Sequence, residues 1–426
     1  MKGRVDRVHI DSPFGSTQSL RAISLRRWTT CFAILFAITL GGTAASAHGH
    51  QDKAASPLRP GYAGDAACAG CHRQRALSYL HTAHHFASQL PTAQSVHGSF
   101  EPGPNILSIL AQDNAIGLPS LQFRMDHADG RFYETAITGF PGKLDERRES
   151  IDLITGSGKR GQTYLYWQGD QLFELPVSYW TDGHRWINSP GYDDGTANFS
   201  RAIYPGCMEC HASYLRPLSD SPDTNRFDRG SLVPGISCET CHGPGAKHVA
   251  MESSRAPASV KLADTAILNP SHFSRERQVE LCALCHNGIQ RESLAPAFSY
   301  VPGQPLSQYF KPLDTAAVKH PDVHGNQVGL LERSRCFRDS PTMTCSTCHN
   351  THEPERAAAS YSQKCLSCHR WQQCGESRRI GASIQARCIG CHMPVEPTTV
   401  IVSTTAGKLV HATMRNHWIK VYASAR

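Results

Sequence analysis

CSTCHNTHEP, residues Cys345–Pro354, opens with the pattern that decides how this chain folds. Two cysteines separated by two residues and followed at once by histidine make the pentapeptide C-x-x-C-H. The same pentapeptide stands at Cys68–His72 (CAGCH), Cys207–His211 (CMECH), Cys238–His242 (CETCH) and Cys282–His286 (CALCH). It returns at Cys365–His369 (CLSCH) and Cys388–His392 (CIGCH), making seven in all. The second cysteines of the pairs are Cys71, Cys210, Cys241, Cys285, Cys348, Cys368 and Cys391. The spacing brings both thiols to one side of a helical turn, where each can add to a haem vinyl group. The next residue then sets its imidazole under the iron as proximal ligand.

Zinc also uses C-x-x-C pairs, but it gives no reason for histidine at one fixed place. Histidine is about 5% of this chain, so its presence after all seven pairs by accident has odds on the order of 10⁻⁹. The expected cofactors are therefore seven covalently bound haem c groups, with iron held proximally by His72, His211, His242, His286, His349, His369 and His392. Of seventeen cysteines, fourteen are so committed. Cys336 and Cys374 remain beside Cys31, and they form either a disulfide closing a loop or two separate buried thiols.

Residues 1–47 read as a signal peptide. Arg21, Arg26 and Arg27 precede the apolar run CFAILFAITL (31–40), and small residues follow up to Ala45-Ser46-Ala47. The run is shorter than the roughly 20 residues of a spanning helix. The expectation is export to the periplasm or the extracellular space, with cleavage near Ala47 and no transmembrane helix in the mature chain. The full chain carries a formal charge of +7. Residues 1–47 hold six Lys/Arg and two Asp/Glu, so the remainder is near +3. That is no footprint for nucleic acid.

Seven proximal histidines and His9, His48 and His50 leave thirteen others, against six methionines after Met1. Bis-histidine ligation is the default, and it gives lower potentials than His/Met. The order of CAGCH followed by Tyr79-Leu80-His81-Thr82-Ala83-His84, then CETCHGPGAKH (Cys238–His248), VHGNQ (Val323–Gln327), CSTCHNTHEP and CIGCHMP (Cys388–Pro394), resembles a group of multihaem cytochromes. The group contains hydroxylamine oxidoreductase and the tetrahaem cytochrome that takes its electrons. The resemblance implies distal ligands at His84, His248, His324 and His352, and the segment MRNHW adds His417. Of His81, His84 and His85, only one is expected to ligate. His352 lies three residues after His349 and cannot reach the far face of its own haem, so it should serve a neighbour. Two irons are left for His411, His320, His184, His272, His97 or His127, or for an open sixth position.

The expected fold class is mainly α: short helices carrying the motifs in irregular haem-wrapped loops, plus a small β-rich subdomain between the first and second motifs. The division is 48–99 as first haem segment, 100–190 as β-rich insert and 191–426 as six-haem region. Within the insert, Asp129-Gly130 and Gly169-Asp170 separate alternating segments and predict two hairpins. Its aromatics Tyr164, Tyr166, Trp167, Tyr179 and Trp180 read as core and haem-facing surface. Gly156-Ser157-Gly158-Lys159-Arg160-Gly161 fits G-x-G-x-x-G, but strand-like QTYLYW follows where a dinucleotide site needs a helix, so it reads as a turn.

Closely spaced haems make electron transfer the leading expectation, with redox proteins as partners and a membrane quinol-oxidising complex among the candidates. The alternative is an oxidoreductase acting on a small nitrogen or sulfur compound at an iron with an open axial position. A third is a structural unit of an extracellular haem wire.

Overall fold

The structure is a computed structural model that describes residues 59–111, 115–254, 266–288, 292–312, 320 and 326–422. Residues 1–47, with Cys31, and His324 lie outside the described residues. The described residues belong to one unit, Ala54–Arg426.

Among the described residues, ten strands are formed before the second motif: β1 Ser88–Gln89, β2 Ile106–Leu110, β3 Ser120–Ala128, β4 Arg131–Phe140, β5 Lys143–Ser150, β6 Leu153–Thr155, β7 Gly161–Gln168, β8 Gln171–Trp180, β9 Arg185–Asn188 and β10 Arg201–Ala202. One antiparallel sheet runs β2-β3-β4-β5. The other runs β1-β6-β7-β8-β10, with β9 also on β8. Both predicted hairpins form: β3 pairs β4 across Asp129-Gly130, and β7 pairs β8 across Gly169-Asp170. Asp129 and Gly130 take φ of 52° and 72°, the left-handed pair that a tight hairpin turn needs.

The two sheets share one core. Phe123 and Met125 of β3 and Phe132 of β4 meet Tyr164 and Tyr166 of β7, Leu175 and Val177 of β8 and Trp186 of β9. Alternation puts these on one face of each strand, as in a sandwich. The Tyr164 hydroxyl donates to His97 O (3.0 Å) and that of Tyr166 to Phe199 O (2.6 Å), so both rings are buried without leaving a polar atom unpaired. Edge strand β5 (KLDERRES) is exposed over six of its eight residues, and its charges discourage edge-to-edge pairing.

Helices elsewhere are short: α1 Asp65–Cys71, α2 Arg73–Tyr79, α3 Pro205–His211, α4 Cys238–His242, α5 Ala246–Ser254, α6 Arg275–His286, α7 Gln327–Glu332, α8 Arg335–Asp339, α9 Ala358–Cys365, α10 Ser377–Ile380 and α11 Cys388–His392. Most span one or two turns. Pro205 opens α3 at a position where no N–H partner is needed, and the Ser274 side chain caps α6 by accepting from Arg277 N (3.3 Å). Among the described residues, no helix is long and apolar enough to cross a membrane.

The expectation of a mainly α fold is overturned. Strand makes up 27% and helix 29% of the described residues. Helices of one or two turns add few residues each, and strands also form beyond the insert. Strands β11 Ala212–Tyr214 and β12 Val233–Pro234 make a small pair, and β13 Val395–Thr405 with β14 Lys408–Arg415 makes a long C-terminal hairpin. Its turn residues Ala406 and Gly407 have φ of 48° and 71°. Asn188 N donates to Thr405 Oγ1 (2.9 Å) and Ser403 Oγ to Asn188 O (2.7 Å), which docks the hairpin against β9.

Candidate haem-binding site

In the motifs, local backbone bonds close a single turn from first cysteine to histidine. His72 N donates to Cys68 O (2.8 Å), His349 N to Cys345 O (2.9 Å) and His369 N to Cys365 O (2.9 Å). Two thiols and an imidazole are thereby presented by one turn of chain. All fourteen motif cysteines and all seven motif histidines edge one cavity of about 4440 Å³. A site for one small molecule occupies about 300–1,000 Å³, so this space suits several large groups.

Four imidazole pairs face one another across it. His72 and His248 have ring centroids 6.2 Å apart at 15° between planes; His84 and His286 stand at 6.1 Å and 78°. His242 and His352 stand at 6.0 Å and 34°, and His349 and His417 at 6.2 Å and 28°. Two imidazoles bound to one metal by bonds of about 2 Å, each centroid about 1.1 Å behind its nitrogen, would sit about 6.3 Å apart. All four separations fit an iron between the rings. Among the described residues no three His, Cys, Asp or Glu side chains converge as a zinc site would require.

Adjacent motifs also touch through their first cysteines. Cys68 lies beside Cys238, Cys282 beside Cys345, and Cys365 beside Cys388, close enough for their thiols to perturb one another. With the imidazole pairs, these contacts close a ring of four motifs. The first and third share Cys68–Cys238 and His72–His248. His352, just after the fifth, reaches His242 of the third; Cys345 meets Cys282 of the fourth; and His84, just after the first, reaches His286 of the fourth. The sixth and seventh motifs pair separately, joined to the fifth by Tyr361 of α9, 5.2 Å from the His349 ring. The second leans on the fourth through Cys210 Sγ and Leu284 O (3.8 Å).

A protein-family model described as cytochrome c554 and c-prime matches residues 191–243, which hold the second and third motifs. The C-type polyheme cytochrome OmcC of Geobacter sulfurreducens is 25% identical over 166 residues, 34% of this chain and 20% of that protein. The chain thus spans about a fifth of the length of that curated relative. The crystal structure of outer cell wall cytochrome OcwA aligns with a TM-score of 0.51 over 84% of this chain and 80% of that one, at 17% identity, a shared fold. The likeness is to multihaem c-type cytochromes.

As in any c-type site, the imidazoles must be neutral to ligate. Burial, then the neighbouring His286, pushes His84 down to about 4, and burial does the same to His417. His286, His349 and His352 are lowered by burial as well. Backbone carbonyls fix the tautomer where Nδ1 donates to them: His242 to Leu268 O (2.9 Å), His392 to Lys420 O (2.9 Å), His211 to Ala87 O (3.3 Å) and His417 to Arg415 O (3.1 Å). Nε2 is then the nitrogen left for a metal.

Of the three neighbouring histidines, His84 faces His286, while His85 lies edge-on to Tyr79 and Phe86 and His81 is exposed. His411 on β14 donates from Nδ1 to Thr398 O on β13 (3.2 Å), and exposed His320 pairs with Glu396 (3.3 Å). His127 packs on Phe132, His97 on Tyr179, and His184 and His272 are exposed. Cys336 and Cys374, the two described cysteines outside the motifs, are each partly buried, and the structure draws no bond between them. Burial pushes the Cys336 thiol up, which lowers its reactivity.

Sequence reasoning missed the acidic residues inside the motifs. Glu239 of CETCH is buried and accepts from Ala63 N (2.9 Å), Gly64 N (2.8 Å) and Gly245 N (2.7 Å). Glu209 of CMECH is buried and accepts from Phe298 N (2.8 Å). A carboxylate at a variable C-x-x-C-H position was the available signal.

Proposed function

We propose that this chain is an exported electron-transfer protein carrying seven haem c groups, one on each C-x-x-C-H pentapeptide. The observation that carries the reading is the set of four opposed imidazole pairs, 6.0–6.2 Å between centroids, around a cavity edged by the fourteen motif thiols. The likeness to multihaem c-type cytochromes supports it. When bound, haem supplies a one-electron carrier whose potential follows its axial ligands and burial.

The chain's own residues do the rest. The cysteines would fix each group covalently and the motif and facing imidazoles would hold the irons; burial favours the neutral form of His84, His286, His349, His352 and His417, and carbonyls orient His211, His242, His392 and His417. Bis-imidazole ligation keeps potentials low. First-cysteine contacts bring the first and third, the fourth and fifth, and the sixth and seventh motifs side by side, so that carriers would lie close and transfer between them would be fast. The partners are redox proteins that dock where a motif reaches the surface, with a membrane quinol-oxidising complex as the upstream candidate. The site of action is the periplasm or the extracellular space, after cleavage near Ala47.

Mass spectrometry of protein made in a host competent for cytochrome maturation tests this. Seven porphyrin-sized increments on a chain beginning at His48 are expected, and one fewer after Cys388→Ala with Cys391→Ala. A colourless, unmodified product would overturn the reading.

A further inference from the structure

Two of the histidines that face a motif histidine across the cavity share a device. Three residues after His84, the Ala87 carbonyl accepts from His211 Nδ1 (3.3 Å). Three residues after His417, the Lys420 carbonyl accepts from His392 Nδ1 (2.9 Å). Each four-residue segment thus serves two centres, since its histidine faces one motif imidazole and its last carbonyl orients another. His84–Ala87 joins the fourth motif to the second, and His417–Lys420 joins the fifth to the seventh. The second and seventh motifs stand outside the ring of the first, third, fourth and fifth, and these segments attach them to it.

Both segments are pinned at the carbonyl of the facing histidine. Ile236 N donates to His84 O (2.9 Å), and Gly156 N donates to Ala87 O (2.9 Å). In the C-terminal segment the pin is a side chain. Ser334 Oγ donates to His417 O (3.1 Å) and accepts from Ile419 N (2.7 Å). The same segment is fastened to the seventh motif: Lys420 N donates to His392 O (3.3 Å), and Arg415 Nη1 donates to Ile389 O (2.9 Å) and Met393 O (2.5 Å).

Ser334 stands at the N-cap of α8, where a serine side chain ordinarily accepts from the first N–H groups of its own helix. It makes no such bond here, although it is fully buried. Its hydroxyl is turned to residues 417 and 419 instead, so capping α8 does not account for it. We infer that Ser334 is a positioning residue for two centres at once: by holding residues 417–420 it sets the His417 imidazole against His349 and the Lys420 carbonyl against His392. This rests on the haem reading above and goes beyond it in naming a residue that ligates nothing. A carbonyl bonded to Nδ1–H makes an axial imidazole more basic and lowers the potential of its centre. Slack in the segment should therefore alter ligand geometry at the fifth centre and raise the potential of the seventh.

The test is an EPR-monitored redox titration of the full holoprotein. The low-spin component of the seventh centre is the one missing after Cys388→Ala with Cys391→Ala. That of the fifth is the one His417→Ala converts to high-spin. Ser334→Ala should shift the g-values of the fifth component and raise the midpoint of the seventh, with the other components in place. Ser334→Thr, which keeps the hydroxyl, should match the parent. His417→Ala removes a ring but keeps the backbone bonds of the segment, so the seventh component should stay where it was; this arm stands whether or not Ser334→Ala folds. Movement of neither component, of only one, or of all components alike in Ser334→Ala would overturn the proposal. So would a Ser334→Thr protein that behaves like Ser334→Ala, or a seventh component that moves with His417→Ala. Haem content is measured on the same samples. A protein without haem sinks the functional reading itself, whereas full haem content with unmoved components sinks only this inference.

Discussion

Asp65 and Glu239 cap each other's helix. Asp65, in the first turn of α1, accepts from Cys238 N at the start of α4 (2.9 Å), and Glu239, in the first turn of α4, accepts from Gly64 N at the start of α1 (2.8 Å). Anionic oxygens at helix N-termini satisfy otherwise unpaired N–H groups and sit at the favourable end of the dipole. The exchange locks the first and third motifs together where Cys68 and Cys238 meet.

Glu239→Ala removes the acceptor of three backbone N–H groups. With charge-assisted bonds lost and donors left in a half-buried site, the cost should be about 3 kcal/mol. Guanidinium unfolding of the holoprotein measures it. Glu239→Gln, which keeps one acceptor oxygen, should lose less. Equal stability of both variants and the parent would refute the clamp.

Removing one axial imidazole should change one centre. His84→Ala leaves His286 without its facing ring, so one iron loses its sixth ligand and becomes high-spin in the oxidised protein. EPR should show a new high-spin signal and the loss of a highly anisotropic low-spin component, with haem content unchanged. His81→Ala, on an exposed neighbour, should leave the spectrum as it was.

Glu134 lies fully buried in the sandwich core, where its Oε1 accepts from Val177 N (3.1 Å) and Oε2 has no hydrogen-bond partner. Burial holds its carboxyl well above the ordinary 4.5. The folded state therefore keeps a proton that the unfolded state releases. Stability is full below the unfolded carboxyl's titration and falls as pH rises above it, by about 1.4 kcal/mol per pH unit, until the folded carboxyl itself ionises. Glu134→Gln keeps the acceptor for Val177 N and cannot ionise. It should match the parent near pH 4 and exceed it in unfolding midpoint at pH 8; a gain no larger at pH 8 than at pH 4 would contradict this sign.

The structure draws no bond between Cys336 and Cys374, so alkylation of denatured, unreduced holoprotein should label two cysteines. No labelling would show them joined. One label would show that a single thiol is blocked.

The motif turns were legible because their chemistry is local: two thiols and an imidazole work only at one spacing, and seven repeats leave no rival. Both hairpins of the insert were legible for the same reason, since Asp129-Gly130 and Gly169-Asp170 fix a turn within four residues. The C-terminal hairpin is signalled by its β-branched run TTVIVSTT and by Ala406-Gly407, but it stands in a region where closely spaced motifs impose short helical turns.

Sequence by itself determined which side chains can hold a cofactor and which three close histidines compete for one role. Tertiary structure alone decided that His84 faces His286, 202 residues away, and that His417 is carried to His349 by the β13–β14 hairpin. It likewise decided that Asp65 and Glu239 meet. Spacing along a chain specifies what one turn can present, whereas a contact between distant segments depends on how sheets, caps and buried side chains pack, and no short stretch encodes that.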